Sequence, residues 1–303
     1  MKLTIPRVYC AFVLAVFAGF FVAQQSLAAD PPPAKCDGLK VGTGPKGKGF
    51  SKLYTDVADV CGAKVNICEV NSDGALDNVS LLAINKVDVA FAMEDSLKIM
   101  GNSDENIRAL RTVLPLNMSY LHIVVSAAGT TVVGDSKYFG LKKENKVVRV
   151  TKFSELKGLP VGLVGSTSLQ VRKLNETYNM GMQIFDFGKD DEAFAAVKAG
   201  KIMAAFTISG ASIHGAVNKL TSADGLTLAP FDYAPQQPYA LKKVSYRGLG
   251  IYGTDALVVQ NYLVSRPFVG KKTAQVEDLK KCLLSQLNDL KDGDYEPAWK
   301  EVK

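Results

Sequence analysis

The chain has few of the side chains that most often carry out catalysis or hold metals. Among its 303 residues there are two histidines and one tryptophan. His122 lies in an apolar stretch, which is typical of a structural imidazole, and His214 is predicted on a helix surface. The cysteine spacing matches no common zinc pattern. These shortages disfavour a metal centre and a catalytic triad, so we expect a protein that is not an enzyme and needs no cofactor.

A strong charge of one sign is also missing. The formal net charge is +6, which is too mild to indicate a nucleic-acid partner or a membrane surface. Hydrophobic residues make up 47% of the chain and charged residues 22%, as in an ordinary globular protein. The length suits two domains.

Long apolar runs are absent after the amino terminus. There, Lys2 and Arg7 precede the apolar run Val8–Val22, and Ser26 and Ala28 are small residues at recognition positions for cleavage. The run is shorter than the ~20 residues that a membrane span needs. Residues 1–28 are therefore predicted to be a signal peptide for the general export pathway, cleaved near Ala28, and the mature chain is expected in the periplasm.

Removal of the signal peptide leaves four cysteines in an oxidising compartment: Cys36, Cys61, Cys68 and Cys282. Two disulfides are plausible, and the residues alone do not choose among the three connectivities. If the first strand and the first helix have the predicted limits, Cys36 and Cys61 both lie at the base of the sheet within bonding reach. Cys68 and Cys282 would then remain as the second pair.

Strands alternate with helices along the rest of the chain, which predicts an α/β fold with parallel sheets. Strands at Ser119–Ala127 and Val258–Ser265 are predicted to cross between two lobes. We expect lobe 1 at residues 36–122 and 262–303 and lobe 2 at residues 123–261. Residues 129–150 are predicted to be an insertion loop, and the final helix, Thr273–Leu290, is predicted to pack on lobe 1 with Trp299.

One pattern occurs twice: a strand runs into a loop of glycine and small hydroxyl residues that opens a helix. The first copy contains Val41–Gly44 and the second Val164–Ser168. Each loop is expected to direct free backbone N–H groups and the positive end of a helix dipole toward the space between the lobes. Such an arrangement favours an anion.

The first loop also resembles two nucleotide-binding motifs. As a P-loop it fails, because Gly49 stands where a Ser or Thr must hold magnesium. As a dinucleotide fingerprint it has Gly42, Gly44 and Gly47, with Glu69 at the end of the next strand. An exported enzyme with a nicotinamide cofactor is therefore the alternative from another class.

Hydrolytic chemistry is not favoured. Ser212 follows Gly210, but the second glycine of a nucleophile elbow is missing after it. Glu94 and Asp95 are adjacent on what is predicted to be a strand end, so their side chains are expected on opposite faces and not as an acid and base pair.

Ligands of open α/β sheets lie beyond the carboxyl ends of the strands. The polar and aromatic residues predicted at those ends are the candidate ligand-binding residues: Thr43, Lys46, Phe50, Ser72, Glu94, Ser166, Thr167, Ser168 and Ser209. Lys46 beside helix N-termini favours a carboxylate or phosphate group. Glu94 across the space would suit an amine.

Several segments resemble one transport family. Gly42–Gly44, Val70–Asn78 with Leu81–Ala83, Val87–Phe91 and Phe153–Ser168 are similar to the TAXI-type solute-binding subunits of tripartite ATP-independent periplasmic (TRAP) transporters. The resemblance implies a two-lobed type II periplasmic binding protein, with two doubly wound sheets joined by two crossing strands. It implies a monomer that closes on a small-molecule solute and delivers it to a membrane permease.

The chain departs from the family pattern within the expected pocket, at Pro45, Lys46, Phe50, Ser51 and Glu94. The resemblance therefore does not imply that this chain binds the glutamate-like solutes of the family. The expected function is the capture of a small anionic organic solute, such as a carboxylate or an amino acid. The alternative within transport is a receptor for an ATP-driven importer of phosphonate-like or sulfonate-like anions.

Overall fold

The structure is a computed structural model that describes residues 36–133, 145–210 and 215–303. Cys36–Lys303 forms one compact unit. The predicted signal peptide, Ser212, His214 and the centre of the predicted insertion lie outside the described residues. Within the described ranges, every helix is too short or too polar to span a lipid bilayer.

The first half of this unit begins with three parallel strands: β1 Leu39–Gly42, β2 Ile67–Val70 and β3 Val89–Met93. Its helices are α1 Gly49–Cys61, α2 Ala75–Ala83, α3 Glu94–Gly101 and α4 Glu105–Arg108. The chain leaves this half through the long strand β4 Arg111–Ser126, which is followed by the hairpin of β5 Thr130–Val133 and β6 Asn145–Val148.

The second half repeats the arrangement. Its parallel strands are β7 Pro160–Val164, β8 Gln183–Phe187 and β9 Ala204–Ser209, with helices α5 Thr167–Thr177 and α6 Asp190–Lys198. Two antiparallel strands, β10 Leu226–Leu228 and β11 Ala240–Tyr246, complete it. The chain returns through β12 Ile251–Ser265 and ends with α7 Lys271–Asp292, which belongs to the first half.

The strand order shows the equivalence of the halves. It runs β2-β1-β3-β12-β4-β9-β7-β8, so each parallel group of three ends on one long antiparallel strand. β4 and β12 also pair with each other, which joins both groups into one curled ten-stranded sheet. The two-lobed α/β fold with two crossing strands is confirmed. The predicted lobe limits fall inside β4 and β12 and stay a prediction.

Side-chain alternation along the strands explains the layers. In β3, Val89 and Phe91 pack against α1 and α7, while Ala90 and Ala92 face α2 and α3. This alternation is the period of two that a strand buried on both faces requires. The carboxyl-terminal tail packs on the α7 side, where Trp299 is fully buried and its indole Nε1 donates to Asp56 at 2.8 Å.

One predicted element is wrong. The apolar residues of Ile107–Val113 predict a strand that reaches Pro115. Residues 105–108 instead form α4, because the Asp104 side chain accepts from the Asn106 N–H and caps that helix. β4 then runs through Pro115 without a break. Pro115 is tolerated because the pairing register with β12 shifts beside it, between Gln260 and Tyr262.

The disulfides also differ from the pairing considered first. Cys36 bonds to Cys68, and Cys61 bonds to Cys282. Cys36 precedes β1, which lies directly beside β2, where Cys68 is found. Cys61 is buried at the end of α1 on the face that packs against α7, so Cys282 is its neighbour. Packing of α1 on α7, rather than proximity to the base of the sheet, decides the connectivity.

Candidate functional site

The candidate site lies where loops from the two halves meet at the carboxyl ends of their strands. A Cβ built on Gly44 would lie 3.6 Å from the Gly74 Cα, and one built on Gly74 would lie 3.7 Å from the Ser166 Cβ. Gly74 has a φ of 123°, a backbone conformation that favours glycine. The Gly44 loop therefore lies against the Gly74 loop, and Gly74 approaches the N-cap residue of α5 in the second half.

Two predicted residues of the first half support the loops from within. Thr43 is fully buried, and its Oγ1 donates to Glu69 Oε1 at 2.9 Å. Ser72 Oγ donates to Asn78 Oδ1 at 2.7 Å, and the Asn78 amide donates to the Thr43 carbonyl at 2.9 Å. Thr43 therefore holds the loop in shape and does not present its hydroxyl to the gap. Asn78, which was not predicted, ties the two loops together.

Lys46 lies on the loop between β1 and α1, and Phe50 lies at the start of α1. Lys46 is exposed. Phe50 is half-buried, stacks on Phe91 with ring centroids 5.3 Å apart, and touches the cores of both halves. Lys46 is thus the candidate cation near the gap, whereas Phe50 contributes an apolar contact between the halves.

Glu94 is paired within its own helix. The predicted strand end is the first turn of α3, and Glu94 makes an ion pair with Lys98 at 2.7 Å, one helical turn later. It lines a cavity of about 640 Å³ whose lining residues belong to the first half, together with Leu97 and Tyr262. The strand-based argument about Glu94 and Asp95 is therefore wrong, although consecutive helical residues also point in different directions.

In the second half, the predicted hydroxyls have different roles. Thr167 is fully buried, and its Oγ1 accepts from the Val164 N–H at 3.0 Å and donates to the Val164 carbonyl at 2.9 Å. Ser168 Oγ accepts from Arg172 Nε at 3.0 Å. Ser166 is half-buried and faces Gly74, and Ser209 lies at the end of β9. Ser166 is the hydroxyl that borders the gap directly.

A fully buried carboxyl group that is bonded across the two halves was not predicted. Asp95 in the first turn of α3 is fully buried; its Oδ2 accepts from the Tyr239 hydroxyl at 3.0 Å, and its Oδ1 accepts from the Ser96 N–H at 2.6 Å. Gln170 of α5 lies beside it, with Nε2 3.5 Å from the Met93 sulfur. We call Asp95, Tyr239 and Gln170 the Asp95 cluster.

Burial dominates the electrostatics of the Asp95 cluster. It raises the pKa of the Asp95 carboxyl above its ordinary value, although hydrogen bonds from Tyr239, Ser96 and Gln170 favour the charged form. Burial and the neighbouring carboxylate also raise the pKa of the Tyr239 hydroxyl, which therefore stays protonated as a donor. Gln170 Oε1 is buried and has no hydrogen-bond partner in the described part of the chain.

The crossing strands carry a second polar network. Ser119 Oγ donates to Asn261 Oδ1 at 3.0 Å, and Asn261 Nδ2 donates to Asn117 Oδ1 at 3.2 Å, all three residues being buried. Gln260 Nε2 on β12 donates to the Asn117 carbonyl on β4 at 3.3 Å. These hydrogen bonds hold β4 and β12 together at the point where the chain passes between the halves.

Metal and nucleotide sites find little support among the described residues. They contain no group of three or more His, Cys, Asp or Glu side chains placed to hold a metal ion. Glu69, the acid that the dinucleotide alternative assigns to a ribose, accepts from Thr43. Its carboxylate therefore already supports the glycine loop.

No family model matches the chain, and no curated protein matches it. Among solved structures, a mutant arginine-binding protein from T. maritima is 17% identical with a TM-score of 0.49, over 84% of this chain and 90% of that chain. The GluR0 ligand-binding core with L-glutamate is 11% identical with a TM-score of 0.49, over 84% of this chain and 96% of that chain. A substrate-binding protein of an amino acid ABC transporter is 10% identical with a TM-score of 0.47, over 83% of this chain and 93% of that chain.

Proposed function

We propose that the mature chain is an exported, periplasmic solute-binding protein that captures a small organic solute between its two halves. The observation that carries this proposal is the approach of Gly74 and Ser166, which brings loops of two equivalent α/β halves to one gap. Because β4 and β12 are the strands that run between the halves among the described residues, bending of these strands would open and close the gap. A protein built in this way can enclose a solute and release it again.

The solute is proposed to carry a carboxylate or a similar anionic group. The first N–H groups of α5 donate no hydrogen bond to the side chain of the N-cap residue Ser166, and these groups are proposed to bind the ligand. Lys46 follows Gly44 by two positions and is exposed, and it is proposed to supply a positive charge to the site. These groups suit a carboxylate or an amino acid, and Ser166, Lys46 and the edge of Phe50 are the proposed contacts.

Delivery to a membrane permease is the proposed biological role. The segments that resemble TAXI-type subunits, including Val70–Asn78 and Val87–Phe91, favour a TRAP permease as the partner. A receptor of an ATP-driven importer is the alternative, and a co-purification of the tagged chain with the membrane proteins encoded beside it distinguishes the two.

A thermal-shift screen tests the proposal directly. The mature chain is heated with L-glutamate, L-glutamine, L-arginine, shikimate, NAD and NADP, each in a separate sample. A solute at 100 times its Kd stabilises the folded state by about 2.7 kcal/mol, which raises the Tm by roughly 5 °C or more. Stabilisation by an organic acid or amino acid supports solute binding.

Two other outcomes count against the proposal. Stabilisation by NAD or NADP would favour the nicotinamide-dependent enzyme. If native mass spectrometry of protein isolated gently from its own periplasm shows no added mass, and no solute shifts the Tm, the capture of a small molecule is wrong.

A further inference from the structure

The Asp95 cluster joins the two halves through side chains that the strand connections do not require to meet. Asp95 belongs to α3 of the first half, Gln170 to α5 of the second half, and Tyr239 directly precedes β11 of the second half. Tyr239 donates to Asp95 over a separation of 144 positions. Their contact therefore depends on the halves being together.

The burial of this cluster is extreme for polar groups at an interface between moving parts. Asp95 is 0% exposed and Gln170 is 1% exposed. The groups that act on the Asp95 carboxyl in the described part of the chain are Tyr239, Ser96 and Gln170, all of them uncharged donors. A buried carboxylate is costly unless its hydrogen bonds are made, so its environment is sensitive to the loss of any one donor.

Apolar contacts surround the cluster and would be lost with it. Met93 and Ala75 of the first half belong to the same core cluster as Val171, Leu174 and Tyr239 of the second half. Separation of the halves would expose these side chains and hydrate Asp95, Gln170 and the Tyr239 hydroxyl together.

We propose that Asp95, Tyr239 and Gln170 set the equilibrium between the open and the closed arrangement of the halves and thereby set the affinity for the solute. The inference rests on the proposed function, since it gives a role to closure only if the gap holds a solute. Where the open arrangement predominates, the Kd for the solute rises by the same factor by which the closure equilibrium falls.

The chemistry of the cluster gives two substitutions opposite effects. Tyr239→Phe removes one donor from Asp95 and leaves a buried oxygen without its partner, which disfavours closure. Asp95→Asn removes the buried charge, keeps an oxygen for the Ser96 N–H, and offers an amide donor to the Tyr239 oxygen and to Gln170 Oε1. We expect Asn at this position to favour closure, whereas Asp95→Ala, which removes all of these bonds, disfavours it.

The matched control is Tyr54→Phe. The Tyr54 hydroxyl donates to the Ile67 carbonyl at 3.3 Å inside the first half, so its removal deletes a tyrosine hydrogen bond that does not cross between the halves. The four variants Tyr239→Phe, Asp95→Asn, Asp95→Ala and Tyr54→Phe are compared with the unsubstituted mature chain, and circular dichroism verifies that each is folded.

Two measurements follow closure without knowledge of the solute. Small-angle scattering reports the radius of gyration, and hydrogen exchange reports the opening of the first turn of α3 and of residues 236–240. We expect a larger radius and faster exchange in Tyr239→Phe and Asp95→Ala, no change in Tyr54→Phe, and equal or slower exchange in Asp95→Asn. Equal behaviour of Asp95→Asn and Asp95→Ala, or of Tyr239→Phe and Tyr54→Phe, would overturn the inference.

The third measurement is the affinity for a solute. The solute is the one that the chain binds among L-glutamate, L-glutamine, L-arginine and shikimate. We expect the Kd to rise about fivefold in Tyr239→Phe, which corresponds to the loss of one hydrogen bond, and to fall or stay level in Asp95→Asn. If none of these solutes binds while scattering still separates the variants, the proposed function fails for these solutes, and the cluster is shown to set the closure equilibrium but not an affinity. If solutes bind with one affinity in all variants, the cluster has no such role and solute capture stands.

Discussion

Gly74 and Ser166 face each other from opposite halves of the molecule, and the space between them admits little more than a methyl group. A Cβ on Gly74 would lie 3.7 Å from the Ser166 Cβ and 3.8 Å from its Oγ. A Cβ on Gly74 would already be in van der Waals contact with Ser166, so a large side chain that enters this space would require the halves to separate. This makes the pair a sensitive place to test whether closure matters for binding.

We expect Ser166→Phe to hold the halves apart without unfolding either of them. Ser166 is half-buried at the start of α5 and has an ordinary helical φ of −68°, so a new side chain causes no backbone strain. The predicted result is a larger radius of gyration and a Kd for the solute at least tenfold higher, with a Tm of the solute-free protein close to the original.

Ser166→Ala is the control, because it removes the hydroxyl without adding volume. It should leave the radius of gyration unchanged. A Ser166→Phe protein that binds its solute normally would show that the gap between Gly74 and Ser166 does not close during binding.

Lys46 tests the charge of the solute. It is exposed on the loop before α1, and Lys46→Gln should raise the Kd for an anionic solute about fivefold while leaving the Tm of the solute-free protein unchanged. The affinity of the unsubstituted chain should also weaken with added salt, because salt screens an exposed charge.

Lys64→Gln removes an equally exposed lysine just beyond α1 and should have no effect on affinity. Equal losses from both variants would indicate a nonspecific effect of net charge. An unchanged affinity in Lys46→Gln would remove Lys46 from the site.

The repeated pattern of strand, glycine loop and helix predicted the architecture because it recurs in local sequence. The first copy, Val41–Gly44, contains the end of β1, and the second copy, Val164–Ser168, contains the end of β7 and the start of α5. Their apolar residues recur at the period of a helix or of a strand, so the prediction needs no information about distant residues.

The Asp95 cluster could not be predicted in the same way. Glu94 and Asp95 were interpreted as the end of a strand, although α3 starts there, and the opposite exposures of the two carboxylates follow from the position of the second half. Tyr239 precedes β11, whose mostly exposed residues show no apolar alternation. The one local signal was a polar residue directly after a buried strand, and it selected Glu94 rather than its neighbour.

The disulfides should contribute unequally to stability. Cys61–Cys282 closes a loop of 221 positions and Cys36–Cys68 a loop of 32. The chain-entropy relation gives upper values of about 5 and about 4 kcal/mol respectively. The paired substitution of Cys61 and Cys282 by Ala should therefore lower the free energy of unfolding in urea by more than the same change at Cys36 and Cys68.

The larger effect is also expected because Cys61 and Cys282 are buried where α1 packs on α7. Mass spectrometry with and without alkylation identifies the free thiols and establishes the connectivity. We expect the larger contribution to stability from Cys61–Cys282. This expectation is contradicted if the free energy of unfolding falls equally in both paired variants, or falls more in the variant at Cys36 and Cys68.

His122 should make the folded state sensitive to acid. It is 1% exposed on β4, its Nε2 is hydrogen-bonded to the Tyr246 hydroxyl, and burial lowers the pKa of the imidazole to about 4 from an ordinary value of 6.5. The folded state therefore resists protonation in a range where the unfolded chain accepts a proton. The contribution is fully present above about pH 6.5 and is lost as the pH falls from there to about 4.

The loss over this interval is about 3 kcal/mol, since each unit of difference in pKa corresponds to about 1.4 kcal/mol. The neighbouring groups do not reverse the sign. Burial raises the pKa of the Tyr120 hydroxyl to about 12 and raises that of Tyr246 as well, so both stay neutral in acid. Thr207 on β9 pairs with His122 on β4, and the Thr207 hydroxyl donates to Asp190.

The measurement is the free energy of unfolding in urea at pH 7.5 and at pH 4.5, for the original chain and for His122→Gln. Other groups also titrate over this interval, so the informative quantity is the difference between the two proteins at each pH. Gln at this position should cost stability at pH 7.5, because the packing around Tyr246 changes, yet it should lose less stability than the original chain on acidification. Parallel pH profiles for the two proteins would show that His122 is protonated as readily in the folded chain as in the unfolded one.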